Sequence, residues 1–415
     1  MMMLRYKNSV LFAPSAVLVL IVLILVSGCA DRVSLPDGEI RVGLLFPMTG
    51  ESAGFGNDCV NGSLLAIEEI NAEGGIRSMN GAMLVPVTGD TRGNISEGIA
   101  QTIRLIEAEN VSAIIGAYHS SIVIAATEVA EKQKTPFIVS VGVADPVTER
   151  GFRYLFRLIP RAENYGKDQV RFLMYLSNQT GIPFRRVALL HENTGFGTSV
   201  ALGQRDALIR AGFEPVIEVG YDAETVSGMS DEISRIISAN PDVILETTYI
   251  RDSILIRNEL DRAGYDSLLI DSAGGTVTPR YRDELGSSAD GTLTLSEYST
   301  RTREGGELNE RFLSRFGTNI TGDSAYSYQA VRVLQDALER AGTGDRELLR
   351  EALARTDMKK SDRMILPGEG ILFDETGQNM YSQLYMLQAQ DGELVLVWPE
   401  SDMTSPVILP STIQS

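Results

Sequence analysis

Ile40-Arg-Val-Gly-Leu-Leu-Phe46 is a short apolar run, and Val60-Asn-Gly-Ser-Leu-Leu-Ala-Ile-Glu-Glu-Ile70 follows it at helical spacing. The first reads as a buried strand, the second as an amphipathic helix closed by Asn71-Ala-Glu-Gly-Gly75. The same rhythm then continues. Strands are expected over 83–87, 111–115 and 136–140, with helices over 95–107 and 120–132 between them. It restarts at 187, with strands over 187–190, 215–219, 243–245 and 268–270 and helices over 199–211, 230–239 and 253–263. Strands alternating with helices of this length mean parallel sheets covered on both faces, and two series mean two doubly wound units. The fold class is therefore α/β, with the join near 158–163. From 297 the chain is helix-rich through 355, and it ends in strand-like pieces at 370–373, 384–387 and 394–398.

Composition fits this reading. The 415 residues are 43% hydrophobic and 22% charged, as in a folded chain with room for more than one core. A formal charge of −18 argues against a general nucleic-acid binder, which needs a basic face. Two cysteines exclude a disulfide scaffold and a thiolate zinc site, and two histidines leave little for a histidine-based metal centre. Neither a GxGxxG fingerprint nor a Walker loop occurs, so no cofactor is expected.

The first residues read as an export signal rather than as fold. Arg5 and Lys7 precede an unbroken apolar run over 16–26, then Ser27-Gly28-Cys29. Leu25-Val26-Ser27-Gly28-Cys29 resembles a bacterial lipobox, which implies a signal peptide over 1–28, a lipid on Cys29, a tether over 29–39 and an extracytoplasmic, membrane-anchored location. Removal of 1–28 takes Arg5 and Lys7 and moves the charge to −20. Cys59 then reads as a small core hydrophobe.

In doubly wound folds ligands bind beyond the carboxyl ends of the strands, so the loops there hold the candidates. Glycines in Phe46-Pro47-Met48-Thr49-Gly50 and Phe55-Gly56 read as a tight turn that lets a ligand approach. Tyr118-His119-Ser120-Ser121 joins a strand to a helix. Two serines at a helix N-terminus suit a carboxylate, through hydroxyls, free N–H groups and the helix dipole; plain N-capping is the even alternative. His119 beside Ser120 does not make a catalytic pair, because adjacent residues rarely reach that geometry and no orienting acid is evident. Phe196 and Tyr249 can close over an apolar side chain, although a lone loop aromatic more often packs on its own domain. Asp145, Glu246 and Asp271 read as solvated or capping acids.

Together these loops resemble the substrate-binding proteins of branched-chain amino acid ABC transporters, of the type I periplasmic binding fold. The matching text is 40–50, Phe55-Gly56, 61–76, 114–121, Asp145-Pro-Val-Thr-Glu-Arg-Gly151, Asn193-Thr-Gly-Phe-Gly197 and Gly368-Glu-Gly-Ile-Leu-Phe-Asp374. The resemblance implies two lobes joined by three crossings, one over 40–160 and 296–384, the other over 161–295 and 385–400, with a tail over 401–415. It implies a small carboxylate-bearing solute between the lobes, ABC permease partners and a monomer rather than an enzyme. Carried over by motif, Ser120 and Ser121 meet the carboxylate, Phe55, Phe196 and Tyr249 surround the ligand, and main-chain groups from Val141 to Val143 add hydrogen bonds. Two departures stand out. Val143 replaces a Thr that helps hold an ammonium group, and Ala273 occupies the slot of an acid. A buried ammonium needs a carboxylate. Either Asp145, Glu246 or Asp271 supplies it, or the solute has no ammonium. The other readings are a sensor with a signalling partner and, less favoured, an extracytoplasmic enzyme.

Overall fold

The computed structural model describes residues 38–359 and 364–410; the expected signal, Cys29 and most of the tether lie outside the described residues. β1 (Glu39–Phe46) leads through α1 (Ala53–Ala72) to β2 (Met83–Asp90), and α2 (Ile95–Glu107) leads to β3 (Ala113–Gly116). α3 (Ser120–Lys132), β4 (Phe137–Val139) and β5 (Leu155–Arg157) complete a five-stranded parallel sheet of order β2-β1-β3-β4-β5.

α4 (Ala162–Thr180) begins the second unit. It continues through β6 (Arg186–Glu192), α5 (Gly195–Ala211), β7 (Glu214–Tyr221), α6 (Ser230–Ser238), β8 (Val243–Thr247), α7 (Ile250–Ala263), β9 (Leu268–Asp271), α8 (Pro279–Leu285) and β10 (Leu293–Ser296). The chain then returns to the first sheet with α9 (Arg303–Phe316), α10 (Gly322–Ala341), α11 (Arg346–Ala354) and the ribbon β11 (Asp357–Lys359) and β12 (Gly370–Leu372). Arg311 and Arg315 of α9 hold Glu69 and Glu68 of α1. β13 (Tyr385–Gln390) and β14 (Glu393–Trp398) cross back as antiparallel strands on the second sheet, of order β14-β13-β10-β9-β8-β6-β7. The chain thus passes between the sheets three times, and 404–408 is hydrogen-bonded back to β13 and β14.

Helices α2 and α3 bury Leu105, Ile106, Ile122, Val123 and Ala126 against one face of the first sheet. At roughly 25 cal/mol per Å² of apolar surface, each of the leucine, isoleucine and valine side chains contributes about 1.5–3 kcal/mol. Cys59 is fully buried and its thiol is pushed well up by burial, so it is a core residue. Of the acids read as solvated or capping, Glu246 and Asp271 are fully buried and so not solvated, adjacent on parallel β8 and β9; Asp271 Oδ2 accepts from the Gly274 and Thr276 amides and caps the loop after β9.

Gly56 differs from expectation as well, and Gly197 repeats its placement. Both stand in the first turn of a helix rather than in a loop. A Cβ on Gly56 would lie 1.9 Å from the Pro47 carbonyl oxygen, and one on Gly197 2.1 Å from that of Glu192. Each lets its helix start directly against the preceding strand's exit, and the close approach is to backbone, not to a ligand.

Candidate functional site

Where the carboxyl ends of the two sheets face each other, a cavity of about 40 Å³ remains. The loops after β3 and β4 wall it on one side, with Tyr118, Ser120 and 141–143. Those after β6, β8 and β9 wall it on the other, with Phe196, Tyr249, Ala273 and Gly274. This is where doubly wound sheets place their sites.

Ser120 is the first residue of α3 and only 3% exposed. The first intrahelical bond runs from Val123 N–H to the His119 carbonyl, so the earlier amides have no helical partner. The Ser120 hydroxyl accepts a bond from the Ala144 amide at 3.3 Å, which ties the N-terminal end of α3 to the loop after β4. Ser121 does not line the cavity; its amide lies 3.6 Å from where a Cβ on Gly195 would stand.

The loop over 141–144 is fixed from beneath by Arg157, which is fully buried. Its guanidinium donates to the carbonyls of Val143 at 3.0 Å and Ala144 at 2.6 Å, to Thr148 Oγ1 at 2.8 Å and to Gln378 Oε1 at 2.6 Å. Gln378 belongs to the returning segment and donates onward to the Ile159 carbonyl at 3.0 Å. The Val143 carbonyl also accepts from Ala162 N–H, so that carbonyl is committed to the protein itself. Burial pulls Arg157 down to about 9, still charged at neutral pH, and the four acceptors compensate the desolvation.

An aromatic layer bridges the two sides. Phe55 stacks on Tyr118 at 5.2 Å between ring centroids, Tyr118 meets Tyr249 at 6.3 Å, and Tyr249 meets Phe196 at 5.4 Å. Phe55 therefore stands behind Tyr118 and does not itself line the cavity. His119 packs on both tyrosines, and its Nε2 lies 3.0 Å from Ser52 Oγ. Burial lowers it to about 4, so it is neutral. Two residues of the wall, Tyr118 (φ +78°) and Ala273 (φ +57°), hold left-handed backbone without being glycine. Such strain gathers at ligand sites, where the surroundings over-determine it.

Asp145, Glu246 and Asp271 do not line the cavity. Two acids outside the expected set do: Glu297, just past β10, and Asp323, in the first turn of α10. Tyr165 of α4 joins them and donates its hydroxyl to Glu297 Oε1. Burial pushes Glu297 up to about 7. Burial, reinforced by Glu297 and Asp58, holds Asp323 well above the ordinary carboxylate range. Neither was legible locally, since Glu297 reads as a strand-end acid and Asp323 as an ordinary complement to a helix dipole.

The family model for periplasmic binding proteins matches residues 39–393. The chain belongs to the periplasmic binding protein family. The Leu/Ile/Val-binding protein homolog 7 of Brucella melitensis is 31% identical over 385 residues, covering 90% of this chain and 95% of that protein. The fold matches a leucine binding protein from Thermotoga maritima with a TM-score of 0.76 at 22% identity, over 88% of this chain and all of that one. It also matches a solute binding protein of an ABC transporter from R. palustris in complex with benzoate, with a TM-score of 0.74 at 18% identity, over 91% and 99%. The resemblance and the α/β fold class expected from the sequence are both borne out.

Proposed function

We propose that this protein is the extracytoplasmic solute-binding component of an ABC importer, tethered to the membrane by a lipid on Cys29 and acting as a monomer. It captures a small carboxylate-bearing solute, a branched-chain or related amino acid, amide or organic acid, between its two lobes and delivers it to permease subunits. The observation that carries this reading is the buried Ser120 hydroxyl and the first-turn amides of α3, which have no partner among the described residues, at a cavity between facing strand ends. The names of the relatives, which cite leucine, isoleucine and valine, support the amino-acid class. Val141, Val143, Phe196, Tyr249 and Ala273 form the walls; Phe55 acts through Tyr118, and Ser121 through the helix end.

A thermal-shift screen of amino acids, amides and small organic acids tests it. A solute at a hundredfold over its Kd raises stability by about 2.7 kcal/mol. Ser120→Ala is expected to weaken a responding carboxylate about tenfold. A folded protein that answers none of these solutes refutes the reading.

A further inference from the structure

Two carboxyl groups, Glu297 and Asp323, share one small cavity, and its lining carries no Arg, Lys or His. Glu297 accepts a bond from the Tyr165 hydroxyl and one from a backbone N–H, its own. The Asp323 carboxyl accepts none among the described residues. The charged and titratable groups around the pair are all acids, phenols or a thiol. Tyr165, Tyr326 and Asp271 surround Glu297, and Asp58, Cys59, Tyr118 and Tyr249 surround Asp323. Burial disfavours the ionised form of both carboxyls, and a purely anionic solute would disfavour it further. A cation brought in by the solute removes the conflict, since buried charge is tolerated only when paired.

From this geometry we infer that the solute carries a cationic nitrogen and that Glu297 and Asp323 hold it, in place of the acid absent at Ala273. The inference rests on the solute-receptor reading above and narrows it to amine-bearing carboxylic acids. Organic acids and amides without an amine are thereby disfavoured.

The two acids also couple binding to protons. In the empty cavity burial keeps Glu297 protonated up to about pH 7 and holds Asp323 well above the ordinary carboxylate range. An ammonium group favours the ionised form, so its arrival expels a proton to solvent. Affinity for an amine then rises with pH, about tenfold per unit below the acid's own pKa and flat above it.

The test is titration calorimetry on the purified protein at about pH 6 and about pH 8, in buffers of different ionisation enthalpy. The probes are L-leucine against 4-methylpentanoate, L-valine against 3-methylbutanoate, and L-lysine against 6-aminohexanoate, which keeps a distal amine. At least one amino acid is expected to bind with proton release, to tighten about tenfold or more between the two pH values, and to exceed its amine-free acid about tenfold. Glu297→Gln and Asp323→Asn should each reduce the proton release and the preference for the amine while sparing amine-free acids. The comparison on the unaltered protein stands if a variant does not fold. Equal binding of amine-free acids, without proton release, overturns the inference and leaves the receptor reading intact. Absence of any response to every amino acid, amide and acid overturns the receptor reading instead.

Discussion

Replacing Arg157 by Lys tests whether the floor of the cavity is held by a guanidinium fork or by charge alone. The four bonds of 2.6–3.0 Å reach acceptors on three sides: two carbonyls of the cavity loop, Thr148, and Gln378 from the returning segment. A lysine ammonium is a single point with three donors and cannot serve Gln378, Thr148 and the loop at once. It keeps at best the loop carbonyls. Two buried acceptors are then left bare at about 1–3 kcal/mol each, so the expected loss is about 3 kcal/mol. Unfolding entropy of roughly 2.1 cal/mol/K per residue makes that about a 4 °C fall in Tm if the chain melts as one unit. Calorimetric melting reads it directly. The same change loosens the Val143 and Ala144 carbonyls beside Ser120, so solute affinity should fall about tenfold as well. A Tm within about 1 °C of the parent would refute the argument that the fork carries this energy.

A Cβ on Gly62 would lie 2.1 Å from the Ser324 carbonyl oxygen, so Gly62→Ala should separate α1 from α10 and cost about 3 kcal/mol in urea unfolding; an unchanged midpoint would count against that close contact. Burial raises Asp271 to about 6 from an ordinary 3.8, so this acid favours the fold below pH 4 and that advantage is lost as pH rises through 6. Its Oδ1 has no partner, and Asp271→Asn should therefore be more stable than the parent at pH 7, by on the order of 2 kcal/mol, with the gain fading toward pH 4; a gain that is the same at both pH values would sink this account. Tyr249→Ala removes the ring that meets Tyr118, His119 and Phe196, and should weaken solute binding by tenfold or more with little loss in either core, as isothermal titration beside circular dichroism can check.

Helices α2 and α3 end where the sequence places them, because Asn94 and the apolar spacing define one and the Ser120 turn the other. β5 and α4 were hidden by contrast. Leu155-Phe-Arg157 is three residues long and is completed by bonding with β4 and Gln378, which no local signal announces. The same limit governs the site. Ser120, Val141, Val143, Phe196, Tyr249 and Ala273 sit in turns that directly follow strands, so topology alone brings them to one place. Glu297 and Asp323 arrive by a long return of the chain, and only the completed fold sets them opposite Ser120's loop. Ser121 and Phe55 are neighbours of lining residues in sequence or in stacking, a distinction that spacing cannot draw.

The aromatic layer has a consequence for selectivity. Phe55, Tyr118 and His119 come from the first unit, Phe55 from the first turn of α1, and Phe196 and Tyr249 from the second, Phe196 from the first turn of α5, and the rings pack on one another in sequence. Whenever the two halves come together, the contacts of Tyr249 with Tyr118 and His119 are gained whatever the solute is. Part of the free energy of the closed form is thus a constant, common to every solute and available even to none. On the proposed function, discrimination among solutes would rest on the small remainder made at the helix end and the acids, and a downstream partner that recognises only the closed shape would read an empty closed receptor as a loaded one. Such a partner must draw its own distinction by how long the closed form lasts.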